Sequence, residues 1–271
     1  MVAVASTASA KPSNPAFLGI SMHDAGRVPP GGMAALGPCQ VDAITRGSGA
    51  MAAGLQGGDL LVAIDGAELV NCDAVLKTVQ GHDASDTIKI DVLRGSRMLA
   101  LSAQLLSRDE ILRRRLVGQP ITSTELVSVD DPTVSIDLSN QRGKTTIVGW
   151  YSAGSCAGCS TLLGKVATWS RKQSTRGGTP IQPIAVTIGD RDNTKVFRGS
   201  SLEVPLVLAD VGTFEDLAIR ENERITFMVI DCRGVVEHIA PVLPDSDDAD
   251  AMLDGLFAAA EQAARRQTRG N

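Results

Sequence analysis

The sequence predicts two domains, the first mainly β with short helices and the second α/β. Three observations support this fold class. The chain has 271 residues, which favours two compact domains over one. Residues 17–106 read as short strands separated by glycine turns. Residues 123–268 instead alternate apolar strands with segments of helical periodicity, the pattern of an α/β layer with partly parallel strands.

The composition excludes several classes of protein. Hydrophobic residues make up 43% of the chain, enough for packed cores. Lys and Arg number 26 against 31 Asp and Glu, and apart from three arginines at 113–115 no basic patch stands out. A nucleic-acid partner is therefore not expected. No apolar run approaches the roughly 18 residues that would cross a bilayer, so no transmembrane segment is expected.

Residues 1–14 are predicted to be a flexible tail of small residues. The tripeptide "ASA" before Lys11 resembles a signal-peptidase site, but neither a charged segment nor an adequate apolar segment precedes it. These residues leave the compartment open, and both export and a cytoplasmic location are compatible with them.

The first half, residues 15–106, is built from strands, turns and short helices. An apolar strand at 60–64 ends at Asp65-Gly66, a strong turn signal. A short helix follows at 71–80, with Val75, Leu76 and Val79 on its apolar side. A hairpin is then predicted over 86–105, because alternate residues on its first arm are apolar.

A linker helix over 107–122 is predicted to join the halves. Ser107 and Glu110 have the spacing of a capping box, and Gly118 and Pro120 end the helix. In the second half, the strand at 145–151 is apolar enough for the centre of a sheet. A helix follows it, and further buried strands are predicted in "PIAVTIG", "VPLVLAD" and "RITFMVID", with helices over "TFEDLAIR" and from about residue 246 onward.

Residues 15–106 resemble a bacterial PDZ domain of the HtrA kind. The resemblance rests on "FLGI" at 17–20, on "AAGLQGGD" and on the "IDG" turn, in the order and spacing of that family. It implies a β barrel or sandwich that binds an extended or C-terminal peptide tail of a protein client by adding a strand to a sheet edge. The peptide-binding residues it implies are Phe17, Leu18, Gly19, Ile20 and Met22. The same fold also serves as a spacer with an unused groove.

Residues 123–268 resemble the thioredoxin-like domains of extracytoplasmic TlpA/ResA-type thiol oxidoreductases. The resemblance rests on Cys156-Ala157-Gly158-Cys159 after a buried strand, and on the later segments 205–210 and 226–234. It implies that Cys156, activated at a helix N-terminus, attacks a disulfide and that Cys159 resolves the mixed disulfide. It also implies a redox partner, no cofactor, and an extracytoplasmic (periplasmic) location.

Two residues depart from the pattern of that family. Ser155 stands where an aromatic residue normally precedes the first cysteine, and Ile225 stands where a cis-proline normally faces the dithiol. By this alignment Ile225 and Thr226 are the substrate-positioning residues. A non-proline cis bond costs about 2.5–4 kcal/mol, so a trans bond is expected before Ile225, and substrate docking there is in question.

Alternatives to a redox enzyme remain open. The chain is also compatible with a non-enzymatic adaptor whose thioredoxin-like fold is inert, and with a peroxiredoxin-like peroxide reductase, although the P-x-x-x-T/S-x-x-C signature is missing. A metal site would need Cys232 and His238 to join the dithiol, and no metal is expected. Cys39 and Cys72 are expected to be buried free thiols.

Overall fold

The computed structural model of the chain describes residues 15–25, 38–122, 124–141, 143–156, 158–175, 180–189, 191, 194, 204–210, 212–213 and 224–269. Contacts divide the chain into two units, Met1–Arg115 and Leu116–Asn271. The division falls within the segment predicted as a linker helix. The predicted tail at 1–14 and most of the predicted helix "TFEDLAIR" lie outside the described residues.

The first domain is built on an antiparallel sheet with two short helices. Its described strands run in the order β1-β2-β3-β5-β6, and β4 pairs with β3. The elements are β1 Ile20–Asp24, β2 Cys39–Ile44, α1 Gly49–Ala53, β3 Leu60–Ile64, β4 Ala67–Glu68, α2 Cys72–Gln80, β5 Thr87–Arg94 and β6 Arg97–Gln104. The mainly β first domain is thus confirmed.

The apolar alternation of the first-domain strands creates its core. Ile88, Ile90 and Val92 of β5 are buried. Thr87, before Ile88, and Lys89, between the two isoleucines, are exposed. The helix α2 begins where the Asn71 side chain accepts a hydrogen bond from Ala74 N at 2.8 Å. Its buried side packs against β1 and β2. This packing places α2 beside the edge strand β1.

An ion pair between the partly exposed Arg94 and the buried Asp59 joins β5 to the turn before β3. The Arg94 guanidinium donates to both carboxylate oxygens of Asp59, at 2.7 and 2.8 Å, and Gln56 N donates to the same carboxylate at 2.9 Å. The bond from Arg94 holds the pKa of the Asp59 carboxyl below its usual value, although burial opposes the shift. The carboxylate is therefore the form that the folded domain favours.

The helix α3, Arg108–Leu116, follows β6 directly. Ser107 Oγ accepts a hydrogen bond from Glu110 N at 3.1 Å, which is half of the predicted capping box. The Glu110 side chain does not complete the box; it accepts from Arg114 Nε at 2.8 Å instead. The helix ends at Leu116, whereas the predicted linker segment extends to residue 122.

The second domain is a mixed sheet with helices packed on it. Its described strands run in the order β13-β12-β9-β10-β11-β7-β8, parallel between β9, β10 and β11 and antiparallel elsewhere. The elements are β7 Glu125–Ser128, β8 Ser135–Asp137, a 3-10 turn Leu138–Asn140, β9 Thr145–Ser152, α4 Cys159–Thr175, β10 Ile181–Ile188, β11 Leu206–Leu208, β12 Ile225–Ile230, β13 Val236–Val242 and α5 Ala249–Arg269. The predicted α/β second domain is confirmed.

The strand β9 lies in the middle of this sheet, with all eight of its residues buried. The helix α4 packs against β10, and α5 packs against β13, β12 and β9. Trp169 of α4 stacks on Phe257 of α5 with ring centroids 4.4 Å apart. None of the described helices is long and apolar enough to cross a bilayer. The strand β9 runs through the core and leads into the segment that contains the two cysteines.

Candidate functional site

The two cysteines of the second domain lie between the end of β9 and the start of α4. Cys156 and Cys159 form a disulfide with Cα atoms 5.4 Å apart. Cys159 is the first residue of α4. A helix start presents unpaired N–H groups and a partial positive charge, which favour thiolate over thiol when the disulfide is reduced. The chemistry available at this position is thiol–disulfide exchange.

Backbone hydrogen bonds fix the turn that precedes the disulfide. Ser152 O accepts from both Ser155 N and Cys156 N at 3.1 Å. Ala153 N donates to the buried Thr187 Oγ1 of β10 at 3.1 Å. The hydroxyl groups of Ser152 and Ser155 lie 3.2 Å apart. Ser155 therefore supplies a polar, exposed neighbour to Cys156.

The two sulfur-bearing residues differ little in exposure. Cys156 is 5% exposed and Cys159 is fully buried. Both cysteines are therefore buried in the disulfide form. The small remaining opening is still at Cys156, so an incoming thiolate meets that residue first.

Pro244 contacts the dithiol segment at a position that the sequence did not indicate. A Cβ atom added to Gly158 would lie 2.4 Å from the Cβ of Pro244, closer than such atoms approach in proteins. Gly158 therefore has no room for a side chain. Leu243, the residue before Pro244, is 51% exposed and gives this surface an apolar character. Pro244 lies 86 residues after Gly158 along the chain, so no local sequence signal pointed to the contact.

Ile225 and Thr226 lie at the start of β12, and Ile225 lies in the same hydrophobic core as the two cysteines. Both side chains are buried, and Ile225 shares a core cluster with Cys156 and Cys159. Thr226 pairs with Trp150 of β9. No peptide bond in the described residues is cis. Neither side chain is therefore exposed to a client strand in this structure.

The second candidate site is an open edge of the first domain. The strand β1 pairs with β2 on one side, and no described strand pairs with its other side. The helix α2 packs beside it. Ile20 and Met22 are partly buried against the domain core, and Leu76 of α2 is exposed. The free edge of β1 thus lies beside α2, and both elements carry apolar side chains; we call the surface between them the groove.

The segment 17–20, which leads into β1, presents two free backbone donors. Gly19 has φ +81°, which glycine adopts readily. Its carbonyl accepts from Thr45 N at 2.9 Å and from Ser48 Oγ at 3.3 Å. The N–H groups of Leu18 and Gly19 make no hydrogen bond with the described part of the chain. Two neighbouring free donors beside an apolar groove suit a carboxylate.

Phe17 and Leu18 have supporting positions in this segment. Phe17 exchanges backbone hydrogen bonds with Leu106, at 2.8 and 3.1 Å. Leu18 is buried in the domain core, and its carbonyl accepts from Ala50 N at 3.1 Å. A Cβ atom added to Gly19 would lie 2.2 Å from Ser48 Cβ. The five residues predicted to bind peptide thus lie along one continuous segment.

Cys39 and Cys72 form a disulfide, so the expectation of free thiols was wrong. Their Cα atoms are 4.7 Å apart, within the range that a disulfide spans. The bond joins the start of β2 to the first residue of α2. Asp24, at the end of β1, accepts a hydrogen bond from Cys72 N at 2.7 Å. Packing of α2 against β1 and β2 brings together two cysteines that are distant in sequence.

The remaining cysteine and the histidines do not build a metal centre with these sites. Cys232 is a free thiol, and among the residues that the structure describes no group of three or more His, Cys, Asp or Glu side chains could hold a metal ion. His23 of β1 lies 2.6 Å from Asp42 of β2. The candidate sites among the described residues are therefore the Cys156–Cys159 disulfide and the free edge of β1.

The sequence matches no protein-family model, and it matches no curated protein. Solved structures similar to each half are known. One is a thiol:disulfide interchange protein of the thioredoxin family from Chlorobium tepidum, at 18% identity over 54% of this chain and 97% of that chain, with a TM-score of 0.40. Another is the HtrA-type protease AlgW with a decapeptide, at 22% identity over 35% of this chain and a TM-score of 0.30. The third is the HtrA3 PDZ domain bound to a phage-derived ligand, at 23% identity over 33% of this chain and 84% of that chain, with a TM-score of 0.27.

The matched region spans about 30% of the AlgW chain. These likenesses concern the fold, and they cover the two halves of this chain separately.

Proposed function

We propose that the protein is a thiol–disulfide oxidoreductase that uses Cys156 and Cys159, with its first domain recruiting a peptide or protein client. The observation that carries the proposal is the Cys156–Cys159 disulfide at the end of the central strand β9 and the start of α4. The buried strand β9 fixes the position of the two cysteines, and the start of α4 favours the thiolate form of the reduced cysteine. No cofactor is needed for this chemistry.

In the reducing direction the reaction has two steps. The Cys156 thiolate attacks one sulfur of a client disulfide, and the other client sulfur leaves as a thiolate that takes up a proton. Cys159 then loses its proton and attacks the Cys156 sulfur, which breaks the mixed disulfide and releases the client as a dithiol. Two electrons pass to the client, so a redox partner must reduce the pair before the next turnover. The oxidising direction is the reverse of these steps.

The first domain supports recruitment of a client through an extended or C-terminal tail. The free edge of β1 can pair with a peptide strand, and the donors of Leu18 and Gly19 suit its terminal carboxylate. A tail held in this groove raises the local concentration of the client at the same chain, to the millimolar range for short linkers when the geometry permits, by the general arithmetic of tethered sites.

An extracytoplasmic, periplasmic location fits the cysteine chemistry. The Cys39–Cys72 disulfide joins two elements of the first domain and has the character of a structural bond. Structural disulfides persist in oxidising compartments and are rare in the cytosol. The proposal therefore places the protein outside the cytoplasm.

An adaptor without redox activity is the second candidate. It is favoured by the low exposure of Cys156 and by the buried Ile225 in place of a proline that would face the dithiol. An adaptor would use the peptide groove and leave the second disulfide intact.

Disulfide reduction separates the two candidates. The wild-type protein is expected to accelerate reduction of insulin by dithiothreitol, and Cys156→Ser is expected to abolish the acceleration. Cys232→Ser is the matched control, because Cys232 is the free cysteine, and it should behave as the wild type. No acceleration by the wild-type protein would favour the adaptor, and acceleration that survives Cys156→Ser would contradict the assignment of Cys156.

Recruitment is tested by trapping. Cys159→Ser blocks resolution, so mixed disulfides with Cys156 should accumulate, and a client with a groove-binding tail should be trapped in higher yield than the same client without it. Adding Gly19→Val should reduce the yield for the tailed client severalfold and leave the reaction with a small disulfide unchanged. Equal trapping with and without the tail would show that the groove does not recruit for the dithiol.

A further inference from the structure

The two ends of α2 are attached to the rest of the first domain in different ways. After the helix, Asp83 forms a β-bridge with Pro15, and the chain continues into β5. At the start of the helix, a disulfide joins Cys72 to Cys39 of β2. Cys72 N also donates to the Asp24 carboxylate, at the end of β1, at 2.7 Å. The helix therefore lies along β1, and the disulfide is the covalent attachment at its start.

Apart from the disulfide, the contacts at the start of α2 are few. The nearest buried residues on either side are Leu69, three positions before the helix, and Val75, three positions after Cys72. Asn71 caps the helix from within the same segment, so the cap does not attach the helix to the sheet. The bond from Cys72 N to Asp24 is exposed to solvent, where water competes for it and its net contribution is small. The position of the helix start therefore depends mainly on the disulfide.

The two residues of this disulfide differ in exposure. Cys39 is fully buried and Cys72 is partly exposed, so a thiolate in solution meets Cys72 first. The thiolate of a dithiol reductant attacks the Cys72 sulfur, the bond to Cys39 breaks, and Cys39 leaves as a thiolate that takes up a proton. The second thiol of the reductant then loses its proton and closes the disulfide of the reductant, which releases Cys72 as a thiol. Two electrons pass from the dithiol to the cysteine pair, and a disulfide oxidant reverses both steps.

We propose that Cys39–Cys72 is a redox-modification site that controls peptide binding in the groove. The oxidised pair holds α2 beside β1 in the position that binds a client tail, and reduction by a dithiol releases the start of the helix. The inference rests on the proposed peptide binding. Ile20 and Met22 of β1 lie on one side of the groove and Leu76 of α2 on the other, so a shift of α2 changes the space between them. Recruitment of a client thus requires an oxidised first domain.

The test measures the affinity of one labelled peptide for the full chain in both redox states. The peptide is selected from a C-terminal peptide library on the oxidised wild-type chain, and binding is measured by fluorescence anisotropy with and without dithiothreitol. Cys39→Ala combined with Cys72→Ala removes the bond and leaves Cys156–Cys159 as the disulfide that dithiothreitol can reduce. Ile90→Ala is the matched control. It empties a buried site of β5, which pairs with β3 and β6, and so destabilises the same domain away from the disulfide.

Dithiothreitol is expected to weaken peptide binding by the wild-type chain about tenfold, as for a groove that is competent about a tenth of the time. The double alanine variant should bind as weakly as the reduced wild type and should not respond to dithiothreitol. Ile90→Ala should keep the affinity of the oxidised wild type, and an equal loss there would overturn the proposal. Equal affinities of the oxidised and reduced wild type, or a response to dithiothreitol in the double variant, would also overturn it. If the oxidised wild-type chain selects no peptide at all, peptide binding itself is refuted, and this inference with it.

Hydrogen exchange on the wild-type chain decides the question even if the double variant does not fold. A helix of nine residues is marginal without its packing. In the reduced protein the amides of α2 should therefore exchange much faster than those of β5 and β6, by local opening of the helix. Equal exchange rates in α2 and the two strands of the reduced protein would mean that the domain opens as a whole, and would overturn the proposal.

Discussion

The Cys39–Cys72 disulfide is expected to supply a large share of the stability of the first domain. Replacing both cysteines by alanine removes a covalent bond between residues that are 33 positions apart. The chain-entropy model gives a loss of about 3.7 kcal/mol at 25 °C for a loop of that length. A single domain is stable by about 5–15 kcal/mol, so the loss is a substantial part of the total. The corresponding fall in Tm for a domain of this size is roughly 15–30 °C.

The aromatic residues allow the two domains to be observed separately. Trp150, Trp169 and Tyr151 all lie in the second domain, and they are all the tryptophan and tyrosine of the chain. Far-UV circular dichroism during urea unfolding should show an early transition in the double variant, while the tryptophan fluorescence transition stays at its wild-type midpoint. A control, Cys232→Ala, should leave both transitions in place. A loss below about 1 kcal/mol, well under the usual 2–5 kcal/mol for a native disulfide, or an equal shift of the fluorescence transition, would refute the reasoning.

Three further outcomes are expected. Gly19→Val should abolish measurable peptide binding by isothermal titration calorimetry, because a side chain there is strained at φ +81° and meets Ser48; undiminished affinity would contradict the role of the segment. Because the hydrogen bond from Arg94 lowers the folded-state pKa of Asp59, the pair stabilises the fold above the unfolded-state pKa of about 3.9 and loses this effect as the pH falls through the folded-state value. Between pH 7 and pH 3, Asp59→Asn should therefore lose less stability than the wild type does in urea unfolding, and an equal loss would argue against the pair. Gly158→Val should destabilise the second domain by about 1–3 kcal/mol through overpacking, and Pro244→Ala should restore part of the loss in a double-mutant cycle; strictly additive effects would mean that the two residues do not interact.

Much of the fold could be predicted because its strands are either strongly alternating or strongly apolar. The alternation of Ile88, Ile90 and Val92 predicted a half-buried strand, and β5 has that pattern of burial. The apolar run at 145–151 predicted a central strand, and β9 is buried throughout. The position of Cys156 and Cys159 after such a strand followed directly. The hairpin of β7 and β8 was not predicted, because Glu125–Ser128 is short and only half apolar.

The missed contacts of the candidate sites all join residues that are distant in sequence. Cys39 meets Cys72 only because α2 docks beside β1 and β2. Arg108 meets Phe17 only because the chain leaves β6 next to the segment that leads into β1. Local periodicity carries no information on such pairs, since they depend on which elements pack together and in what register.

The contact between Gly158 and Pro244 has a consequence for how this protein can change over time. Any residue other than glycine at 158 needs space that the proline ring occupies, so a mutation at 158 is tolerated only after, or together with, a change at 244. The two codons are therefore expected to vary as a pair among descendants of this gene. Gly158, one of the two residues between the cysteines, is thus constrained by Pro244, which follows the end of β13.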